Sequence, residues 1–258
     1  MINSRIWELK RDQISALIAK DFKLKYNSTA LGFFWSLLVP IFSSLIYFLV
    51  FGIFMRFRIP NYLLYLLCGT FLWQFFFNTV MQNGRVLMNN AGLLKKTSVD
   101  RRLFVWSTFF TESIHFLLTI PVLFVIMLSY GVKPDMLTFF PNLAVTLILL
   151  ALFAVGLSYA YAATNIFFRD LERIVTILMQ MWMFMTPVFI PESSIPVKYH
   201  WIYVVNPMAG IVRIWRNIFY NPDVNYMLWL KLFLVSAAVF AFGRWLFMRL
   251  EKRFAEMM

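Results

Sequence analysis

Hydrophobic and polar positions are segregated into long blocks along this chain rather than alternating with a short period. Residues 27–55, 59–84, 136–168 and 174–191 contain no Asp, Glu, Lys or Arg. A helix needs about 20 mostly apolar residues to cross the hydrocarbon core of a bilayer, so each block predicts a transmembrane helix. Residues 103–128 and 228–248 tolerate isolated charges and predict two more. The expected fold is an all-α integral membrane protein with six transmembrane helices.

Two segments break this pattern. In residues 4–26, Trp7, Ile14, Leu17, Ile18 and Phe22 recur at helical spacing, with Arg5, Glu8, Asp12 and Lys23 opposite. That predicts an amphipathic interface helix in the headgroup layer. Residues 191–227 hold an apolar run, 204–212, that is too short to span and is broken at Asn206-Pro207. Trp201, Tyr203, Trp215, Phe219, Tyr220 and Tyr226 surround it, which predicts short re-entrant helices before the last span. The organisation expected is an interface helix over 1–28, a membrane domain over 29–250 and a cytoplasmic tail over 251–258. The first apolar block follows a charged helical segment and runs for a full span, so it reads as permanent rather than as a signal sequence.

Composition agrees: of 258 residues, 61% are hydrophobic and only 14% charged, against about 25% in a soluble domain. The net charge of +12 would suggest nucleic acid in a soluble protein. Here topology accounts for it. With the amino terminus in the cytoplasm, seventeen of the 24 Lys and Arg fall inside and seven outside. Cytoplasmic loops carry such an excess, so both termini are expected inside and no nucleic-acid partner is implied. The lone Cys68 gives no disulfide framework.

Missing chemistry narrows the function. The sequence has no G-x-x-x-x-G-K-[ST] phosphate loop, no G-x-G-x-x-G and no H-E-x-x-H. His115 and His200 stand apart without a Cys or carboxylate cluster, so no metal site or bound cofactor is expected. A membrane enzyme would need such a constellation near one face, and a secondary transporter would need inverted repeats; neither is seen. Glu112 and His115, three apart, share a helix face inside a span. Intramembrane charges default to functional readings, but a single pair reads better as a structural contact. Gly156, Ala160 and Thr164, at four-residue spacing, predict a close helix–helix approach.

Several short motifs then resemble one family. Tyr26-Asn27-Ser28-Thr29-Ala30-Leu31-Gly32-Phe33-Phe34-Trp35, ending at Pro40, resembles the entry signature of polysaccharide and teichoic-acid ABC export permeases. Arg169-Asp170-Leu171, Thr186-Pro187-Val188, Asn206-Pro207-Met208 and Arg216-Asn217 continue that pattern in register. The nearest resemblance is to the O-antigen (Wzm-type) permease subunits; drug, lipid or teichoic-acid permeases on the shared scaffold are the alternative. The resemblance implies a homodimer in the bacterial cytoplasmic membrane with two copies of a separate ATPase, which would use ATP and Mg. The cargo implied is polysaccharide linked to undecaprenyl pyrophosphate. It also implies ATPase coupling through Leu94, Lys95, Lys96, Arg169 and Asp170. Lys20, Lys23 and Lys25 would receive the pyrophosphate at the cytoplasmic entrance. The first and fifth spans carry two of the signatures, which places a path between them, with Trp35, Tyr47 and Trp182 as candidate lining residues. Aromatic faces supply weak, repeated contacts that let a polymer slide.

Overall fold

The computed structural model describes residues 2–26, 32–56, 59–97, 99–133, 135–168, 170–220 and 224–254. Their regular structure is helical throughout, with no strand among the described residues. Helix α1 (Ile2–Tyr26) leads into α2 (Trp35–Tyr47), which widens into π-type turns over Phe48–Phe54. Helices α3 (Tyr62–Asn89), α4 (Ala91–Lys96), α5 (Arg102–Ser129) and α6 (Met136–Asn165) follow. After α7 (Leu171–Phe184) come the short α8 (Trp201–Val205) and α9 (Pro207–Asn217), then the long α10 (Tyr226–Glu251). Residues 27–31 of the entry signature lie outside the described residues.

Five stretches are long and apolar enough to cross a membrane: Leu37–Phe54, Tyr62–Asn89, Arg102–Ser129, Met136–Asn165 and Tyr226–Glu251. The block at 174–191 differs from its expectation. It is helical only to Phe184, as the 14-residue α7, a rod of about 21 Å. Met185 to Ile190 then run through turns and bends. The cause is local: Pro187 has no N–H to continue the ladder, and the Thr186 hydroxyl donates back to the Trp182 carbonyl at 2.8 Å.

Helix α3 is the centre of the molecule. Of its apolar window 78% is buried within the chain, against 11% for Leu37–Phe54 and 17% for Tyr226–Glu251. Helices α2, α5, α6, α7 and α9 all pack on it, leaving α2 and α10 to present apolar faces outward. The tightest pairing is between α6 and α10. Gly156 lies against the backbone of Val239 and Phe240, and Gly243 against the Gly156 carbonyl, so neither position has room for a Cβ. Small residues let membrane helices approach this closely.

Helix ends are fixed by polar caps that the sequence supplies. Asp135 accepts the Leu137 N–H at 3.1 Å to start α6, and Asn225 accepts the Leu228 N–H at 2.9 Å to start α10. Helix α5 ends on Gly131 with φ +72°. The Gly131 N–H donates to Leu128 O at 2.9 Å and the Val132 N–H to Met127 O at 3.2 Å, a Schellman closure that needs the left-handed glycine.

Helix α1 lies along α5. Leu17 is buried, Ile14 packs on the core, and the Phe22 ring meets the His115 ring at 5.0 Å. Ile14, Leu17 and Phe22 of the predicted apolar stripe are thus seated on protein, while the side chain of Trp7 lies outside the described residues.

Candidate functional site

Between α1, α3 and α5 the bundle encloses a cluster of charge. The Lys25 ammonium, at the end of α1, donates to Glu112 Oε1 of α5 at 2.7 Å. Glu112 also accepts from Gln82 Nε2 at 2.9 Å and from Asn78 Nδ2 at 3.2 Å, both on α3. His115 Nδ1 lies 3.5 Å from both Glu112 Oε1 and Lys25 Nζ. Glu112 is 2% exposed. A carboxylate so deep is tolerable only with its lone pairs satisfied, and three donors from two other helices do this. The nearest charged partner of Glu112 is Lys25 of α1, at 2.7 Å, ahead of His115 on its own helix at 3.5 Å.

Three cavities that share residues run along α3. The first, about 500 Å³, is lined by Lys20, Lys25, Gln82, Arg85 and Asn90. The second, about 350 Å³, begins at Lys25 and takes in Trp35, Pro40, Gln74, Asn78, Glu112 and His115. The third, about 360 Å³, shares Pro40 and Gln74 and ends among Tyr47, Met183 and Phe184. None of the three is fully enclosed. Helix α3 lines all three; α1 and α5 line the first two, α2 the second and third, and α7 closes the far end.

The aromatic residues singled out in the sequence are placed differently from one another. Trp35 lines the second cavity and Tyr47 the third. Trp182 lies in neither; it faces the interior, where its ring meets Trp73, Phe76 and Phe153 and its indole N–H donates to Asn206 Oδ1 at 2.8 Å. Of the lysines, Lys20 donates to Asn90 Oδ1 and pairs with Asp21 at 3.3 Å, Lys25 serves Glu112, and Lys23 is exposed.

At the same end of the molecule, α4 projects Lys95 and Lys96 outward while Leu94 packs back on the core. Asp170, exposed, precedes α7; Arg169 lies outside the described residues. Arg85 of α3 pairs with Glu172 of α7, and these two with Asp170, Arg173 and Thr176 line a groove of about 460 Å³. Asp100 caps α5 by accepting the Arg102 N–H at 3.0 Å and reaches Lys10 of α1 at 3.9 Å. Arg101 donates to the Glu251 carbonyl at 3.2 Å. Thus α3 is tied to α7, and the start of α5 is tied to α1 and to the end of α10.

Two residues that the sequence showed only as parts of motifs organise the opposite end. Asn206 Oδ1 accepts from Trp182 and from the Met208 N–H, and its Nδ2 donates to Met185 O and Thr186 Oγ1, each at 3.0 Å. One side chain thus joins the end of α7 to the start of α9, where Pro207 takes the first helical position. Arg216 is 7% exposed. Its guanidinium donates to the carbonyls of Pro187, of Val188 at 2.7 Å and of Tyr65 at 3.3 Å, and lies 3.4 Å from the Tyr65 ring centroid. Gly69 leaves the space it occupies. The signal was in the spacing: Arg216 follows Met208 and Val212 at four-residue steps on the apolar face of α9, whereas Arg213 is exposed.

Comparison with known proteins places this architecture. Over 247 residues, 96% of this chain and 95% of theirs, two Klebsiella pneumoniae proteins named O-antigen export system permease protein RfbA are 33% and 34% identical to it. A Myxococcus xanthus protein of the same name is 30% identical over 221 residues, 83% of this chain and 84% of its own. Residues 12–220, α1 to the segment after α9, match the ABC-2 type transporter family. The chain belongs to that family, as a membrane transport component.

Proposed function

We propose that this chain is the membrane-spanning subunit of an ATP-driven exporter of lipid-linked, O-antigen-like polysaccharide in the bacterial cytoplasmic membrane. The observation that carries the reading is similarity along nearly the full length to proteins named O-antigen export permeases. The chain of cavities along α3 suits it, because a path must continue from one face of the membrane toward the other. Trp35 and Tyr47 are the lining residues we retain. The basic entrance of Lys20, Lys23, Lys25 and Arg85 suits a pyrophosphate-linked end, since charge-assisted contacts to phosphate are strong.

In this reading two copies form a homodimer, closing cavities that a single copy leaves open beside the apolar faces of α2 and α7. Two ATPase subunits dock on α4 and on the groove at Asp170, and they alone use ATP and Mg. Both termini are cytoplasmic. The sixth crossing is made by α7 together with its unwound continuation, and α8 and α9 re-enter from outside. The hydrogen bonding supports this. Irregular backbone is tolerated at membrane depth only where protein satisfies it. Pro187 O accepts from Tyr65 Oη and Arg216, Val188 O from Arg216, and Phe189 O from Tyr62 Oη.

In-frame deletion of the gene in its own bacterium tests the reading. Surface polysaccharide should disappear, lipid-linked polymer should accumulate inside, and a plasmid copy should restore export. Unchanged surface polymer in the deletion strain would remove the function.

A further inference from the structure

Helix α3 carries a polar stripe that the ion cluster explains only in part, since Asn78 and Gln82 donate to Glu112 and Gln74 does not. Gln74, Asn78 and Gln82 stand at i, i+4 and i+8, one face of the helix, in rungs about 6 Å apart along the axis. Other polar side chains of α3 turn back on their own backbone: Thr70 donates to Leu66 O, Thr79 to Phe75 O and Asn83 to Thr79 O. The three amides instead face the cavities, and Gln74 stands where the second and third meet.

We infer that Gln74, Asn78 and Gln82 form a neutral hydrogen-bonding stripe along which the hydroxyl groups of the moving polysaccharide exchange partners. This rests on the function proposed above. Gln74 is the telling member. It donates one N–H to Asn78 Oδ1 at 2.8 Å, and among the described residues its carbonyl oxygen receives no protein donor. It bears on Glu112 only through Asn78, yet it holds an unused acceptor in the most buried helix. Such a group is costly in a membrane unless it meets water or a polar ligand.

The chemistry selects the ligand class. An amide offers both a donor and an acceptor, as a hydroxyl does, whereas an apolar drug or an acyl chain would strip these groups of water and return nothing. Movement selects neutrality. A full charge facing the path would hold an ionic segment in place, and the charges here, Lys25 and Glu112, are paired with each other. Conduction needs sites that bind well enough to admit and weakly enough to release. Equally spaced amides meet that condition, with Trp35, Phe71 and Phe75 supplying apolar walls.

The test uses the whole transporter in its own bacterium, with Gln74→Cys on a Cys68→Ser background and N-ethylmaleimide, a small neutral reagent, as the probe. The Gln74→Cys variant should label readily in a strain that makes no polymer, and several-fold more slowly while polymer is synthesised and exported. Gln74→Leu should slow export by roughly five-fold, the effect of one hydrogen bond, at unchanged membrane level, and Gln74→Asn should recover part of it. If Gln74→Cys fails to accumulate, Gln82→Cys at the entrance is read in the same way. Equal labelling with and without polymer, in a strain whose export still depends on this gene, overturns the stripe alone. Export that does not depend on the gene overturns the functional reading beneath it.

Discussion

The Lys25 ammonium of α1 lies 2.7 Å from the Glu112 carboxylate of α5, so one ion pair fastens the amino-terminal helix to the bundle. Breaking such a pair is worse than removing it, because one charge is left buried without its counter-ion. Glu112 is 2% exposed and the Lys25 side chain 34%, so Lys25 can turn toward water and Glu112 cannot.

From this asymmetry, Lys25→Met should destabilise the purified protein by about 3 kcal/mol, and Glu112→Leu by less. The double variant should recover part of the loss. Thermal unfolding in detergent measures all three. Simple additivity of the two single effects would show that the pair is not coupled.

How much of this was legible in the sequence depends on what each signal measures. Hydropathy found the long apolar helices but does not by itself say which sit inside, because lipid and protein neighbours are equally apolar to a side chain. Mean hydropathy is lowest for α3 at the centre, 1.4 against 2.4 for Leu37–Phe54 at the edge, yet it is also 2.4 for the half-buried α6. The amides at 74, 78 and 82 in a charge-free block were the available sign. The block at 174–191 was read as one span because an uncharged run does not show where a helix stops; Pro187 did. Arg216 was counted among the external charges, although its spacing on α9 puts it on the apolar face. Glycine spacing was more informative: Gly156 sits at the closest helix crossing.

That crossing gives a second prediction. Gly243→Ala puts a methyl group against the Gly156 carbonyl, and backbone on both sides has no rotamer to yield. A loss of about 1–3 kcal/mol should appear as lower membrane abundance and a lower Tm, and Gly156→Ala should do the same. By contrast, Gly92→Ala, where nothing lies within 4 Å, should be neutral. Equal tolerance of all three would contradict the packing of α6 on α10.

A third concerns the segment after α7. Asn206→Leu removes the partners of Trp182, Met185, Thr186 and Met208 together, and Arg216→Met strips the Val188 carbonyl and leaves Pro187 only the Tyr65 hydroxyl. Each unsatisfied buried group costs about 1–3 kcal/mol, so both variants should be poorly folded. Asn206→Asp, which keeps the acceptor but loses the Nδ2 donor, should fall between Asn206→Leu and wild type in Tm. Wild-type stability for Asn206→Leu would show that this side chain does not hold the segment.

The exposed charges beside α4 give a fourth. Reversing Lys95 and Lys96 to Glu leaves the core untouched, so membrane abundance should be normal. Export should fall by an order of magnitude or more while the ATPase still hydrolyses ATP. Wild-type export by this double variant would remove α4 from the coupling surface.

The central claim is that this chain conducts lipid-linked polysaccharide under the drive of a separate ATPase. Its most direct measurement is transport in proteoliposomes. The chain is reconstituted with its partner ATPase and with the bacterium's own lipid-linked polymer, and polymer appearing across the bilayer is counted. The account predicts transport that needs both subunits and hydrolysable ATP and that stops when either subunit is omitted. Polymer crossing without the ATPase, or ATP hydrolysis by the full complex with no polymer moved, would contradict it.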